Sequence, residues 1–201
     1  MYIYGASGHG KVIAEIAEEN GVVITGFIDL DVSKNKVLNY EVIHTIPIQK
    51  IEVIIAIGNN AVRKKLVNEN DNFEYDKLIH PRANISKRTT IGEGSVVMAG
   101  VSINADVIIG SHCIVNTNAS VDHDCMIENF VHISPNVALA GNVEVGEGTH
   151  IGIGTCVIQG IKIGKWCTIG AGTVVIKDVP HGATVVGNPG KIIKVNKYPF
   201  G

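Results

Sequence analysis

No stretch of this chain is apolar for anything close to the ~20 residues a membrane-spanning helix needs. Neither sign of charge is in excess: 17 Lys and Arg stand against 19 Asp and Glu, a net charge of −2. A chain so nearly neutral has no electrostatic reason to bind nucleic acid or a membrane surface, and neither partner is expected. No basic-then-apolar leader precedes the first strand, which predicts a cytoplasmic protein. The cysteines are few: Cys113, Cys125, Cys156 and Cys167, with no C-x-x-C pair. They are expected as buried thiols in a reducing compartment, not as disulfides or a metal site.

What the sequence does have is a period. From Ile85 to Val175 an aliphatic residue recurs at every sixth position: Ile85, Ile91, Val97, Ile103, Ile109, Val115, Val121, Ile127, Ile133, Leu139, Val145, Ile151, Val157, Ile163, Ile169, Val175. All but Leu139 are β-branched, which favours strand over helix. Six is neither the helical period nor the simple strand alternation; it is the repeat of a parallel β-helix. Three units make a triangular turn of eighteen residues, with turns stacked about 4.8 Å apart. The residue four places beyond each aliphatic is also small or apolar, from Ser95 and Val101 through Cys167 and Thr173, and is expected to point inward too. Glycine often follows the aliphatic (Gly92, Gly110, Gly146, Gly152, Gly164, Gly170), where positive φ at a coil corner is expected. No unit carries an inserted loop.

The first eighty residues follow another pattern. Strands are expected at Met1–Tyr4, Val22–Ile28 and Val53–Ile57, and helices at Lys11–Asn20 and Ala61–Asn70. This alternation argues for a small parallel α/β domain. Gly5-Ala-Ser-Gly-His-Gly10 lies between strand and helix, where backbone N–H groups suit a phosphate. Asp29 ends the second strand, where an acid can meet a ribose hydroxyl. The spacing is G-x-x-G-x-G, not the dinucleotide fingerprint. A structural tight turn and a nucleotide-diphosphate site therefore both remain open.

The coil carries its own candidates. His132 and His150 are eighteen residues apart and should stack on one face in adjacent turns. His123 lies in Val121-Asp-His-Asp-Cys125, facing outward between Asp122 and Asp124. An imidazole beside a carboxylate can serve as a general base; a solvated surface histidine is the plainer reading. No metal is expected. A metal-dependent lyase would need closely spaced coil histidines that are absent here.

Together, several motifs resemble the sialic-acid O-acetyltransferase (NeuD) family of sugar acyltransferases, which includes PglD-like N-acetyltransferases of nucleotide-linked amino sugars. They are Tyr4-Gly-Ala-Ser-Gly-His-Gly-Lys11, Ala56-Ile-Gly-Asn-Asn60 with Arg63, Ile79-His-Pro81, Asn116 to Asp124, Phe130-Val-His-Ile-Ser134, Ala140-Gly-Asn142 and Val186-Gly-Asn-Pro-Gly-Lys191. The resemblance implies a Rossmann-like nucleotide-sugar domain over 1–78, a left-handed parallel β-helix over 79–182 and a CoA-closing tail over 183–201. It implies a homotrimer with active sites between subunits and acetyl-CoA as co-substrate. His123 is implied as the general base and Asp124 as its acidic partner. His132, Gly141, Ile153, Ala171 and Lys191 are implied to bind acetyl-CoA. Ser7, Gly8, His9, Gly10, Asp29, Asn59 and Arg63 are implied to hold the nucleotide sugar. The expected reaction is acetyl transfer to the amino group of a UDP- or GDP-linked deoxysugar in glycan biosynthesis. The alternatives are a sugar or sialic-acid O-acetyltransferase and a non-catalytic nucleotide-sugar-binding scaffold. The end of the chain, Asn196–Gly201, is expected to order by packing on a neighbour.

Overall fold

The computed structural model describes residues 1–196. Beyond Asn196, the expected tail lies outside the described residues. The fold class expected from the sequence is the one observed: a small Rossmann-like α/β domain followed by a parallel β-helix.

The N-terminal domain runs β1 (Tyr2–Tyr4), α1 (Gly8–Glu19), β2 (Gly26–Ile28), β3 (Lys36–Val37), β4 (Tyr40–Ile43), β5 (Ile51–Ile55), α2 (Asn60–Glu69) and β6 (Phe73–Glu74). The sheet order is β3-β4-β2-β1-β5-β6, parallel except for the β3–β4 hairpin. Ile3, Phe27, Ile28, Val53, Ile54 and Ile55 are almost fully buried, as in a parallel sheet covered on both faces. Helix α1 turns Ile13, Ala14, Ile16 and Ala17 into the core. The chain passes from β1 through α1 to β2 on one side, and β5 then docks on the other side of β1. The topology therefore reverses between β1 and β5, the place where open α/β sheets bind ligands. Strands β3, β4 and β6 were not legible in the sequence: each is two to four residues long and half solvated.

The coil begins at Leu78–Ile79, which pairs with Val96–Val97, so the first rung straddles the expected domain boundary. Its last parallel rung, Ala183–Val186, pairs with Thr168–Ile169 and lies within the segment assigned to the tail. The chain then doubles back antiparallel as Lys191–Val195. Asn196 is held by its own chain, donating to the Gly182 carbonyl at 2.9 Å. Three sheets form the faces of the prism. The first runs through Leu78, Val96, Ile114, His132, His150 and Thr168. The second runs through Ser102, Ser120, Ala138 and Cys156, and the third through Ile108, Met126, Glu144 and Lys162.

The inward aliphatics are buried from Val97 to Val175, as is every residue four places beyond them from Ser95 to Thr173. The corner glycines differ from expectation. Positive φ falls three places after the aliphatic, at Gly94, Gly100, Asp106, His112, Asn118, Asp124, Phe130, Asn136, Asn142, Gly148, Gly154, Gly160, Trp166 and Gly172. The glycines directly after the aliphatic have another cause. A Cβ on Gly92, Gly146 or Gly164 would lie 2.6 Å from the backbone nitrogen of the turn above.

The α/β domain packs on the first face. Leu78, Val96, Met98 and Ile114 of the coil join the core cluster of α1, at roughly 1.5–3 kcal/mol for each such side chain buried. Arg63 of α2 is 1% exposed and fastens the junction. It donates to the carbonyls of His112 (2.8 Å), Phe130 (2.9 Å) and Ile57 (2.8 Å) and to Asn60 Oδ1 (2.8 Å).

Candidate active site

Two groups of residues stand out, on opposite sides of the prism. The first surrounds the reversal point of the α/β sheet. Gly5 and Gly10 are glycines for internal reasons. Gly5 has φ of 117°, and a Cβ on Gly10 would lie 2.2 Å from the Gly5 carbonyl oxygen. Gly8 has no such reason, because its φ is unexceptional and a Cβ there would meet nothing within 4 Å. Ser7 precedes α1 without a side-chain capping bond, and the first turn has no acidic residue. The leading amides of α1 are thus open to an anion beside a glycine that leaves room for one. Helix α2 contrasts with this: Asn59 caps it, its Oδ1 accepting from the Val62 amide at 3.0 Å.

Asp29 lies at the end of β2. Its Oδ2 accepts from the Ala6 amide (2.9 Å) and Lys34 Nζ (2.8 Å), and its Oδ1 from the Asp31 amide (3.0 Å). Partial burial pushes this carboxyl up, but these hydrogen bonds outweigh it and hold it below its ordinary value. Lys34 is a site residue the sequence did not disclose; only its place five residues after Asp29 hinted at it. His9, on the first turn of α1, faces inward, with its Nε2 buried and unpartnered. Burial, then the Arg63 charge, lower its pKa to about 4.

Beside this loop the first coil face presents His132 and His150, stacked as the eighteen-residue spacing predicts, with centroids 4.8 Å apart and planes 19° apart. His132 Nδ1 lies 3.3 Å from the Gly58 carbonyl, directly after β5, and its Nε2 3.3 Å from Asn116 Nδ2. Asn116 Oδ1 is engaged by the Thr117 amide at 2.8 Å, which fixes the amide's orientation. His132 therefore carries its proton on Nδ1 and accepts at Nε2. Burial, then the neighbouring His150, lower its pKa to about 3, so it is neutral across the physiological range. His150 Nε2 meets Ser134 Oγ at 2.9 Å.

The second group sits at the corner between the second and third faces. Asp124, at φ 59°, turns its carboxylate back to His123 Nδ1 at 2.7 Å. The proton on Nδ1 leaves Nε2 with a free lone pair. The Asp124 hydrogen bond, then the Asp122 charge, raise the imidazole pKa above its ordinary value. Asp122 does not compete for the ring: it accepts from the His123 amide (2.8 Å) and from Asn104 Nδ2 (2.6 Å). One turn on, Gly141 lies against the imidazole, where a Cβ would sit 2.7 Å from His123 Nε2. Among the described residues, no acceptor takes the Gly141 amide. A base nitrogen and an open N–H therefore lie side by side. Both His123 and Asp124 side chains are 59% exposed, which leaves room for a ligand or a second chain to cover them.

The coil thus divides the expected residues. Ser7, Gly8, His9, Gly10, Asp29 and His132 surround the reversal point. Ile153 and Ala171 occupy the Thr117 corner beside them, two and three turns along. His123, Asp124 and Gly141 are across the prism. Arg63 has its donors engaged inside the chain, and Asn59 is occupied as a cap. Lys191 opens the final strand and is exposed. Among the described residues, no cluster of three His, Cys, Asp or Glu side chains could hold a metal, and no helix is long and apolar enough to cross a membrane.

Comparison with known proteins identifies the chain's relatives. Residues 1–70 match the family model of the PglD N-terminal domain. The chain is 41% identical over 111 residues to a UDP-N-acetylbacillosamine N-acetyltransferase of Bacillus subtilis, a match covering 48% of this chain and 50% of that protein. The chain thus spans about half the length of that relative. Among solved structures, it is similar to the acetyltransferase domain of PglB from Neisseria gonorrhoeae, with 39% identity, a TM-score of 0.90 and coverage of 96% of this chain and 98% of that one. That domain is also known in complex with acetyl coenzyme A. PerB from Caulobacter crescentus, in complex with CoA and GDP-perosamine, is 36% identical with a TM-score of 0.87 over 96% of each chain.

Proposed function

Because the chain belongs to the PglD-like family of hexapeptide-repeat sugar acetyltransferases, we propose that it transfers the acetyl group of acetyl-CoA to the amino group of a UDP- or GDP-linked deoxysugar. The observation that carries this reading is the His123 corner: Nδ1 bound to Asp124, Nε2 free, and the open Gly141 amide beside it.

The reaction follows from those groups. The sugar amine attacks the thioester carbon, and His123 Nε2 takes its proton during or just after attack. Asp124 holds the tautomer and stabilises the imidazolium, as the acid of a catalytic triad does. The Gly141 amide faces the oxyanion that develops; losing such a donor costs roughly 10²–10³ in rate. The C–S bond then breaks, and the imidazolium returns its proton to the CoA thiolate. No covalent enzyme intermediate is needed, so both substrates bind together.

The nucleotide diphosphate sits on the open amides of α1 over Gly8, with its ribose toward Asp29. Ile153 and Ala171 line the pantetheine arm, and Lys191 and the tail approach its nucleotide end. Since the nucleotide loop and His123 lie on opposite sides of one prism, the working site takes His123 from one subunit and the nucleotide sugar from its neighbour. A homotrimer, with three such junctions, is the assembly this reading requires. Of the four cysteines, Cys113, Cys125 and Cys167 are buried as expected, whereas Cys156 faces outward from the second face and is exposed.

The test is thiol release from acetyl-CoA against UDP-, GDP- and dTDP-linked amino sugars, with CMP-sialic acid and free sialic acid as hydroxyl acceptors. Turnover on one amino sugar, lost in His123→Ala while acetyl-CoA still binds, is the expected result. Turnover only on a hydroxyl acceptor would replace N- with O-acetylation. No turnover and no CoA binding would overturn the assignment.

A further inference from the structure

The nucleotide loop and the Thr117 corner of one subunit are joined by a chain of side-chain contacts through His132. The Gly58 carbonyl meets His132 Nδ1 at 3.3 Å, and His132 Nε2 meets Asn116 Nδ2 at 3.3 Å. Asn116 Oδ1 accepts the Thr117 amide at 2.8 Å. Gly58 belongs to the loop after β5, at the sheet reversal where the nucleotide is placed. Thr117 belongs to the corner that carries Ile153 and Ala171 two and three turns along. One imidazole thus bridges the two domains between the places assigned to the two substrates.

Its contacts are also unfinished. The bond from Nδ1 to the Gly58 carbonyl, at 3.3 Å, is beyond the usual range for N–H···O, and the N–H···N contact from Asn116 to Nε2 is equally long. The ring is nevertheless held to one plane by its stack on His150, and His150 is tied to Ser134. The imidazole can tighten toward Gly58 and Asn116 but has little freedom to tilt. A ligand that fixes the Gly58 loop fixes His132, and through Asn116 it orders the Thr117 corner.

We propose that His132 couples the two substrate sites. A nucleotide diphosphate bound at the glycine-rich loop tightens CoA binding along the Thr117 corner, and CoA tightens the nucleotide by the same factor. The factor must be equal in both directions because the coupling is a free energy shared by the two sites. This rests on the transferase reading, and it adds a non-catalytic task for His132: positioning that links two binding events.

The experiment is titration calorimetry on the full chain with CoA and with UDP or GDP, each alone and each at saturation of the other. These ligands cannot react together, so affinities are read without turnover. The expected result is an affinity gain of about 5-fold or more, equal from either side, that falls to unity in His132→Phe. That variant keeps a ring on His150 but has no donor or acceptor. Asn116→Ala breaks the same chain one link later and should also abolish the gain. Thermal unfolding establishes that both variants are folded. Independent binding in the unmodified protein, or a gain that survives both substitutions, overturns the coupling and leaves the transferase reading intact. Failure of either ligand to bind the unmodified protein overturns both.

Discussion

Alanine at Gly8 and at Gly10 should have opposite consequences, although the two lie in the same turn of α1. At Gly10 a Cβ would sit 2.2 Å from the Gly5 carbonyl oxygen and 3.1 Å from the Phe27 ring. Backbone must move to admit it. Overpacking of this kind costs about 1–3 kcal/mol, which lowers Tm by roughly 2–12 °C in a chain of this size. At Gly8 a Cβ meets nothing within 4 Å, and alanine is favoured over glycine within a helix by up to ~1 kcal/mol. Gly8→Ala should therefore leave Tm unchanged or slightly raised. Its methyl group, however, enters the space left for a phosphate over the first amides of α1. Losing one charge-assisted hydrogen bond costs about 1.5–3 kcal/mol, so KM for the nucleotide sugar should rise roughly 10–100-fold. KM for acetyl-CoA, measured at saturating nucleotide sugar, should stay put. Thermal unfolding and steady-state kinetics on the two variants decide the matter. Gly8→Ala with an unchanged nucleotide KM would show that no phosphate lies over this glycine. Gly8→Ala as unstable as Gly10→Ala would refute the packing argument itself.

Three further outcomes are expected. His123 must be neutral to accept a proton, and its pKa is raised chiefly by the Asp124 hydrogen bond. The acid limb of kcat/KM should therefore lie above pH ~6.5 and move to lower pH in Asp124→Asn, alongside a fall in kcat; a limb that does not move would remove Asp124 from its role. Arg63→Met should cost about 3 kcal/mol or more in denaturant unfolding, because it strands the His112, Phe130 and Ile57 carbonyls at the domain junction; a change below 1 kcal/mol would show that the junction does not depend on the guanidinium. Burial, as the largest cause, lowers the folded pKa of His9 and His112 to about 4 and of His132 to about 3. The unfolded chain takes up protons near pH ~6.5 while the folded chain does not. Stability from these groups is therefore complete above that pH and is lost as pH falls toward 4; a Tm that is flat between pH 7 and 4.5 would contradict the burial of these rings.

The coil was legible because its constraint repeats. Every inward aliphatic from Val97 to Val175 was read correctly, since a charged side chain there would face a closed prism; the inward Thr149 and Thr155 are admitted because their hydroxyls donate to the Gly164 and Gly170 carbonyls. The corners were misread because glycine serves two purposes in one hexad. Gly92 and Gly164 admit the backbone of the next turn, whereas Gly94 and Gly148 adopt positive φ, and the sequence shows only glycine. The histidine stack followed from counting to eighteen. Arg63 did not: a basic residue near a nucleotide loop suggests a ligand, and only packing reveals that its donors are spent on the Phe130 and His112 carbonyls. Asn59 was equally ambiguous, because a helix cap and a ligand contact favour the same residue type. That His123 and Gly141 share one corner, and Ile153 and Ala171 another, was implicit in the hexad count, since residues on one corner differ by multiples of eighteen; that the glycine-rich loop sits across the prism from His123 was not, because only packing places the α/β domain on the first face.

The same arithmetic governs how such a chain can tolerate change. A deletion or duplication of eighteen residues within the coil returns every later side chain to its own column, shifted by one rise of about 4.8 Å. An edit of six residues moves each one to the next face, and an edit of one residue turns the inward aliphatics out. Length variation in this protein is therefore quantised: whole turns alter the reach between the α/β domain and the C-terminal hairpin, and any smaller step scrambles which neighbours share a corner.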